Sequence, residues 1–313
     1  MSKIDFIIIG ERRSGTSTLA KWIETHPELY LYPKVDQAFF IDNPLRRRRT
    51  WLDGQIDPMK WTEESRISDY LDLFKDCPDN INCKGEKSAD YLFWDSALHR
   101  IKQHIPEAKF IVTLRNPVER AWSHYWNEVG KGREKKSFEI ALKEENSRSL
   151  QSDYAKLHLS YFARGKYSES ISKWFDQFPR NQFHFVVLEE LIENPKEELK
   201  KLYSFLEIDP NKGYENAGVR FNHNWTTVPR KIWKTNAFTM SIESNINRVI
   251  KKLIKSIVKD GYRQKKIGPK IESITRKPQK SIKMDSETRK NLIEAYKPSI
   301  VELEKILDRK INV

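Results

Sequence analysis

Two glycines bracket a loop with the composition of a phosphate-binding turn. An apolar run from Phe6 to Ile9 meets this loop at Gly10, and a helical segment follows Gly15. The spacing of the two glycines is that of the Walker A motif, but Thr16 stands where that motif has lysine. That lysine neutralises the β and γ phosphates in nucleotide triphosphatases, so this loop is predicted to hold a phosphate but not to transfer a γ-phosphoryl group. The residues predicted to bind the phosphate through charge, hydroxyl groups or helix amides are Arg12, Arg13, Ser14, Gly15, Thr16, Ser17 and Thr18.

A second strand-to-helix junction carries a similar set of groups. Arg115 follows the apolar run 109–114, Pro117 suits the first turn of a helix, and Ser123 lies two turns further on. A planar guanidinium and a hydroxyl can together clamp a phosphate. Alone the arginine is equally typical of a salt bridge at a strand end. With the first loop, the pair predicts a ligand that carries phosphate at both ends.

Apolar runs alternate along the chain with segments of helical periodicity. This alternation is typical of an α/β fold, a P-loop-like parallel sheet flanked by helices. The predicted strands are 6–9, 29–32, 109–114 and 183–188, and the predicted helices are 17–25, 119–128, 195–206 and 286–307. Because no repeat and no Gly/Ser linker divides the chain, we expect a single domain over residues 1–313, with a core of about residues 5–208.

The charge balance narrows the range of ligands. Lysine and arginine outnumber the acidic residues by 57 to 44, a net charge of +13, which favours an acidic ligand, an acidic polymer or an anionic surface. The basic segment 250–270 fits a solvated face, an acidic acceptor or peripheral contact with a membrane. No known RNA or DNA module accompanies the charge, so no nucleic acid is expected. Two cysteines without a second pair give no metal site, and the lack of an apolar leader predicts a cytoplasmic location.

A third segment, residues 84–91, places Glu86 beside Lys87 ahead of Tyr91. Such neighbours are common on surfaces. Together with the two phosphate elements, however, this block resembles the sulfotransferases that use 3′-phosphoadenosine 5′-phosphosulfate (PAPS), in the bacterial and glycan-modifying branch that includes heparan sulfate sulfotransferases. The resemblance extends over about residues 5–208, including His26-Pro27, Phe39-Phe40 and the segment from Arg164 to Trp174.

The resemblance implies transfer of a sulfuryl group from PAPS to a hydroxyl or amine of a glycan, glycolipid or other acceptor, without a metal. It implies that Arg13 binds the 5′-phosphosulfate, that Arg115 and Ser123 bind the 3′-phosphate, and that Lys87 contacts the sulfonate or the acceptor. The base that the family places three residues before a Phe-Phe pair corresponds here to Asp36, where related enzymes have glutamate. Glu86 and His124 are the reserve candidates for the base. The resemblance further implies that residues 209–313 hold a nucleotide-covering loop with Arg230 and Lys231, a variable basic segment and the C-terminal helix.

Two other classes of protein remain open at this point. A P-loop kinase acting on a nucleotide or small molecule has the same strand-loop-helix signature, although Thr16 in place of lysine argues against it. A basic protein that binds membranes or nucleic acid on an altered nucleotide fold would have the same net charge. Its binding would depend steeply on salt, and adenosine 3′,5′-bisphosphate would not raise its melting temperature.

Overall fold

The described residues contain one parallel sheet of five strands. The computed structural model describes residues 4–33, 40–41, 63–219 and 283–311, with side chains from residue 67 onward in the third range. The strands are β1 (Phe6–Gly10), β2 (Leu29–Leu31), β3 (Cys83–Lys87), β4 (Lys109–Leu114) and β5 (Phe183–Val187). Their order across the sheet is β2-β3-β1-β4-β5, and all neighbouring strands are parallel.

Helices alternate with the strands along the chain. They are α1 (Thr16–Ile23), α2 (Glu63–Asp72), α3 (Asp95–His104), α4 (Pro117–Gly130), α5 (Phe138–Lys143), α6 (Glu145–Gln151), α7 (Asp153–Leu159), α8 (Tyr167–Phe175), α9 (Leu188–Glu193), α10 (Pro195–Leu206) and α11 (Ser286–Leu307). Within the four described ranges, none of these helices is both long and apolar enough to cross a membrane.

The described residues form two compact units. The first contains the sheet and comprises Met1–Arg120, Arg164–Phe221 and Ala295–Val313, as far as these are described. The second comprises Ala121–Ala163 and Asn222–Glu294, with the same restriction. In the second unit, the buried Glu145 accepts backbone hydrogen bonds from residues 161–163 at 2.6–2.8 Å, and so fixes the chain that follows α7.

Apolar side chains cover both faces of the sheet, which is why β1 and β4 read as continuous apolar runs. Phe6 and Ile8 of β1 belong to a core that also contains side chains of α1 and α10, namely Leu19, Trp22, Ile23, Leu199, Leu202, Tyr203 and Leu206. On β4, the ring of Phe110 packs against Trp174 of α8, with ring centroids 5.1 Å apart. Every side chain named here is buried.

The structure confirms the α/β fold with its parallel sheet and flanking helices. The predicted helices at 195–206 and 286–307 have the bounds of α10 and α11, while α1 and α4 begin one and two residues earlier than predicted. Strand β3 was not predicted, because the sequence Cys-Lys-Gly-Glu-Lys contains no apolar run. A single domain over residues 1–313 stays a prediction.

Candidate active site

Two of the predicted binding elements meet at the carboxyl edge of the sheet. Residues 10–16, here called the phosphate loop, follow β1, and Arg115 follows the neighbouring strand β4. The Glu11 amide donates to the Thr113 carbonyl at 2.9 Å, and Thr113 Oγ1 donates to the Gly10 carbonyl at 3.1 Å. Ligands of open α/β sheets bind at this edge, where adjacent strands lead to opposite sides of the sheet.

The phosphate loop turns into α1 through Gly15. This residue has φ 92° and ψ 4°, a conformation that favours glycine, and a Cβ here would lie 2.5 Å from Leu188 Cδ1. The first turn of α1 has no acidic residue and no side-chain cap. The first amides of a helix have no partner within it and favour an anion. Near this turn Ser14 and Thr16 are buried, Thr18 is half-buried and Ser17 is exposed.

Arg13 has a left-handed backbone, with φ 71°. The left-handed region is sterically unfavourable for a residue with a Cβ, and such strain persists only where surrounding contacts hold the backbone in place. One enforcing contact is the hydrogen bond from Arg115 Nη1 to the Arg13 carbonyl, at 3.3 Å. Arg115, predicted to bind a second phosphate, therefore also braces the first phosphate element.

Arg12 is paired with a carboxylate of the block that follows β3. Its Nη2 lies 2.6 Å from Asp90 Oδ2, and the Asp90 side chain is 2% exposed. The Arg12 carbonyl accepts from Arg120 Nη1 at 3.5 Å. The structure thus directs the Arg12 guanidinium to Asp90, and its predicted contact with the ligand stays a prediction.

A second arginine completes this ion network from a distant part of the chain. Arg164 Nη1 donates to Glu11 Oε1 at 2.7 Å, and Arg164 Nη2 donates to Asp90 Oδ1 at 3.0 Å. Its guanidinium carbon lies 4.4 Å from the centre of the Phe93 ring, a cation–π distance. Because Arg164, Glu11 and Asp90 are all buried, these contacts are little screened by solvent.

Tyr167 joins the two phosphate elements. Its hydroxyl donates to the Arg115 carbonyl at 2.8 Å and lies 3.4 Å from Ser14 Oγ. Burial raises the pKa of Tyr167 to about 12, so the hydroxyl remains a donor at neutral pH.

The end of β3 and the residues that follow it are buried. Lys87, the last residue of β3, is 1% exposed, and Glu86 is 0% exposed. Ser88 Oγ donates to Glu86 Oε2 at 2.8 Å. Burial and the neighbouring Glu86 carboxylate raise the pKa of Tyr70 and of Tyr91 well above the ordinary value, which keeps both phenols protonated around that carboxylate. Glu86 is thus a buried carboxylate that accepts a hydrogen bond from Ser88 and influences two protonated phenols.

The start of α4 explains the Arg-Asn-Pro sequence. Asn116 Oδ1 accepts from the amides of Val118 and Glu119 at 3.1 and 3.2 Å, and so caps a helix whose first residue is Pro117. Arg115 is therefore the last residue before the cap, at the fixed end of β4.

Two candidates on α4 belong to the second unit. Ser123 is half-buried, and its predicted contact with a 3′-phosphate stays a prediction. His124 is buried, with its ring 5.1 Å from that of Tyr161 at an interplanar angle of 72°. This edge-to-face packing agrees with a structural role for His124.

Other candidates lie outside the described residues. They are Asp36, Arg230, Lys231 and the basic segment 250–270. In the part of the chain that is described, no group of three or more His, Cys, Asp or Glu side chains could hold a metal ion.

The sequence model described as "Sulfotransferase family" matches residues 5–212, about two thirds of the chain. This chain belongs to the sulfotransferase family. The match includes the phosphate loop, the block after β3, Arg115 and the segment from Arg164 to Tyr167, so all the contacts described around the loop lie inside the family region.

Relatives of this sulfotransferase family member are named for activity on heparan sulfate. Heparan sulfate glucosamine 3-O-sulfotransferase 5 of Mus musculus is 27% identical over 210 residues, covering 65% of this chain and 53% of the relative. Bifunctional heparan sulfate N-deacetylase/N-sulfotransferase 1 of Caenorhabditis briggsae is 25% identical over 228 residues, covering 70% of this chain and 24% of the relative. The matches thus span about half or less of these relatives.

A solved structure agrees with the fold. The sulfotransferase from Alicyclobacillus acidocaldarius superposes with a TM-score of 0.68 at 22% identity, covering 99% of this chain and 98% of that chain. At this identity the likeness establishes the fold.

Sequence reasoning left Glu11, Asp90, Arg164 and Tyr167 without a role. Asp90 and the segment from Arg164 were included in the family resemblance, but nothing in the local pattern indicated that they contact the phosphate loop. One signal in the sequence could have indicated such a contact. Glu11 is a carboxylate inside a loop predicted to bind an anion, and a buried carboxylate there requires a cation from elsewhere in the chain.

Proposed function

We propose that this protein transfers the sulfuryl group of PAPS to a hydroxyl or amine of a carbohydrate acceptor. The observation that carries the proposal is the contact between two anion-binding elements at the ends of β1 and β4. Arg115 donates to the Arg13 carbonyl, and Tyr167 bridges Arg115 and Ser14. PAPS carries phosphate on both sides of its ribose, and this arrangement suits such a ligand.

In the proposed reaction, the bond between sulfur and the phosphate oxygen breaks while a bond from sulfur to the acceptor atom forms. The acceptor loses a proton, and adenosine 3′,5′-bisphosphate leaves. Arg13 and the amides at the start of α1 stabilise the negative charge that develops on the leaving phosphate. Lys87 is proposed to contact the transferred sulfonate. A Walker lysine is absent because no γ-phosphoryl group is transferred.

We propose Asp36 as the base that removes the acceptor proton. The alternative base, Glu86, is fully buried and accepts a hydrogen bond from Ser88. This environment suits a structural carboxylate better than a base, because a base must come within hydrogen-bond distance of the acceptor. His124 packs against Tyr161. Both observations favour Asp36.

The acceptor class is proposed from the relatives. Their names specify heparan sulfate or its glucosamine, so a glycan hydroxyl or amine is the first acceptor to test. A glycolipid, an acidic acceptor, membrane contact through residues 250–270 and a cytoplasmic location stay predictions.

The test separates this function from a P-loop kinase. Isothermal titration with adenosine 3′,5′-bisphosphate should give saturable binding without magnesium, and ATP with magnesium should bind more weakly. Radiolabelled PAPS, offered with a panel of hexosamine and uronic-acid glycans, should label at least one acceptor. Tight binding of ATP with magnesium and none of the bisphosphate would indicate a kinase.

A further inference from the structure

Two carboxylates lie beside the proposed anion site. Glu11 belongs to the phosphate loop itself and is 1% exposed, and Asp90 follows β3 and is 2% exposed. Buried carboxylates at this position repel an anionic ligand unless cations compensate them. The phosphate loop can therefore bind an anion only if this charge is neutralised within the protein.

Arg164 contacts both carboxylates with one guanidinium group. Its Nη1 lies 2.7 Å from Glu11 Oε1, and its Nη2 lies 3.0 Å from Asp90 Oδ1. We propose that Arg164 is a positioning residue that neutralises Glu11 and Asp90 and thereby makes the phosphate loop competent to bind the anionic donor. This inference rests on the proposed function.

The ion network also fixes the loop backbone. Glu11 Oε1 accepts from the Arg12 amide at 2.6 Å as well as from Arg164, and Arg12 Nη2 completes the network at Asp90. Among the contacts of the described residues, the two arginines therefore pair with both carboxylates. The network also holds the peptide that precedes Arg13.

Arginine suits the bridge between both carboxylates better than lysine does. The planar guanidinium presents several donors in a fixed fork, whereas a lysine ammonium acts as a point charge. The next residue, Gly165, is in close contact with α11, because a Cβ here would lie 2.6 Å from the Tyr296 hydroxyl. This contact restrains the backbone that carries Arg164.

The decisive experiment compares Arg164→Gln with the double variant Glu11→Gln/Arg164→Gln, using isothermal titration with adenosine 3′,5′-bisphosphate. Arg164→Gln removes the guanidinium that contacts both carboxylates, so binding should weaken about 10- to 100-fold, the effect of one uncompensated charge about 6–12 Å from the anion at an effective dielectric constant of about 20. The double variant removes one charge of each sign and should regain at least about tenfold of that loss. A residue that only packs would show no such rescue.

Arg148→Gln is the matched control. Arg148 Nη2 contacts Glu134 Oε2 at 2.9 Å in the second unit, and the carboxylate is likewise buried. This variant should lower the melting temperature and leave bisphosphate affinity within about twofold, because Arg148 pairs with a carboxylate that is outside the phosphate loop. If Arg164→Gln does not fold, Arg164→Lys replaces it; this variant loses the fixed fork but keeps the charge that the inference invokes, so its affinity should fall by no more than about tenfold.

The outcomes separate the two proposals. If the wild-type protein does not bind the bisphosphate, the proposed function fails and this inference fails with it. If the wild type binds but folded Arg164→Gln binds equally well, or the double variant stays as weak as the single one, the inference alone is overturned. Loss of binding in Arg164→Lys as large as about 100-fold would overturn it as well.

Discussion

Arg13→Ala and Arg13→Gly form a pair that separates the charge of Arg13 from its backbone. Arg13 lies in the phosphate loop with φ 71°, a conformation that costs a residue with a Cβ about 1–2 kcal/mol and costs glycine almost nothing. Both substitutions remove the guanidinium group. Only the glycine variant relieves the backbone. We expect both to weaken the donor complex and only Arg13→Gly to raise the stability of the protein.

The magnitudes follow from the two contributions. A charge-assisted hydrogen bond contributes about 1.5–3 kcal/mol, which corresponds to a loss of about 10- to 150-fold in bisphosphate affinity. Turnover should fall further, because the leaving phosphate gains charge in the transition state. The free energy of unfolding of Arg13→Gly should exceed that of Arg13→Ala by about 1 kcal/mol.

Three measurements test the pair: isothermal titration with adenosine 3′,5′-bisphosphate, transfer from radiolabelled PAPS and denaturant unfolding. Arg13→Lys is the control that keeps a charge, and it should retain part of both affinity and turnover. Wild-type affinity and turnover in a folded Arg13→Gly protein would refute the role of the side chain. Equal unfolding free energies for the alanine and glycine variants would refute the cost assigned to the backbone.

Three further predictions concern the second phosphate, the base and pH. Arg115→Ala and Ser123→Ala should weaken adenosine 3′,5′-bisphosphate far more than adenosine 5′-phosphate in titrations, because only the former carries the 3′-phosphate. Asp36→Asn should lower turnover about 10²–10⁴-fold in the PAPS assay while donor affinity stays nearly intact, as expected for a general base. Burial lowers the pKa of His184 from 6.5 to about 4. Between these pH values the unfolded chain therefore binds more protons than the folded chain, so the free energy of unfolding is unaffected by this group above pH 6.5 and falls as pH drops toward 4. Wild type should therefore lose about 2 kcal/mol more unfolding free energy than His184→Phe between pH 7 and pH 4.5.

A specific experimental result would contradict each of these predictions. Equal losses for the two nucleotides would mean that Arg115 does not hold the 3′-phosphate. Normal turnover in Asp36→Asn, with a folded and inactive Glu86→Gln that still binds the bisphosphate, would transfer the role of base to Glu86. For His184, whose ring stacks on Phe205 at 5.2 Å, parallel pH profiles for wild type and the phenylalanine variant would remove the proposed cost of protonation.

Strand β3 illustrates why the sheet could not be completed from the sequence. Cys83, Gly85, Glu86 and Lys87 are buried although the strand has no apolar run, and β3 lies inside the sheet with β2 on one side and β1 on the other. A Cβ at Gly85 would lie 2.2 Å from the carbonyl oxygen of Phe6, so the glycine is required by a strand distant in sequence. The periodicity of apolar residues indicates helices and strands. It does not indicate which polar residues become buried by contacts with distant parts of the chain.

The sequence by itself determined the features that depend on neighbours along the chain. The glycine spacing, the hydroxyl groups at the start of α1 and the Arg-Asn-Pro cap are local, and with the apolar runs they indicated the α/β fold and the sulfotransferase family. Tertiary structure alone decided the pairing of charges. Arg12 reaches Asp90 over 78 positions, and Arg164 reaches Glu11 over 153 positions. A sequence specifies which residues carry charge, but partners this far apart are chosen by the order of strands in the sheet, which brings the ends of β3 and β1 together and seats Arg164 between them.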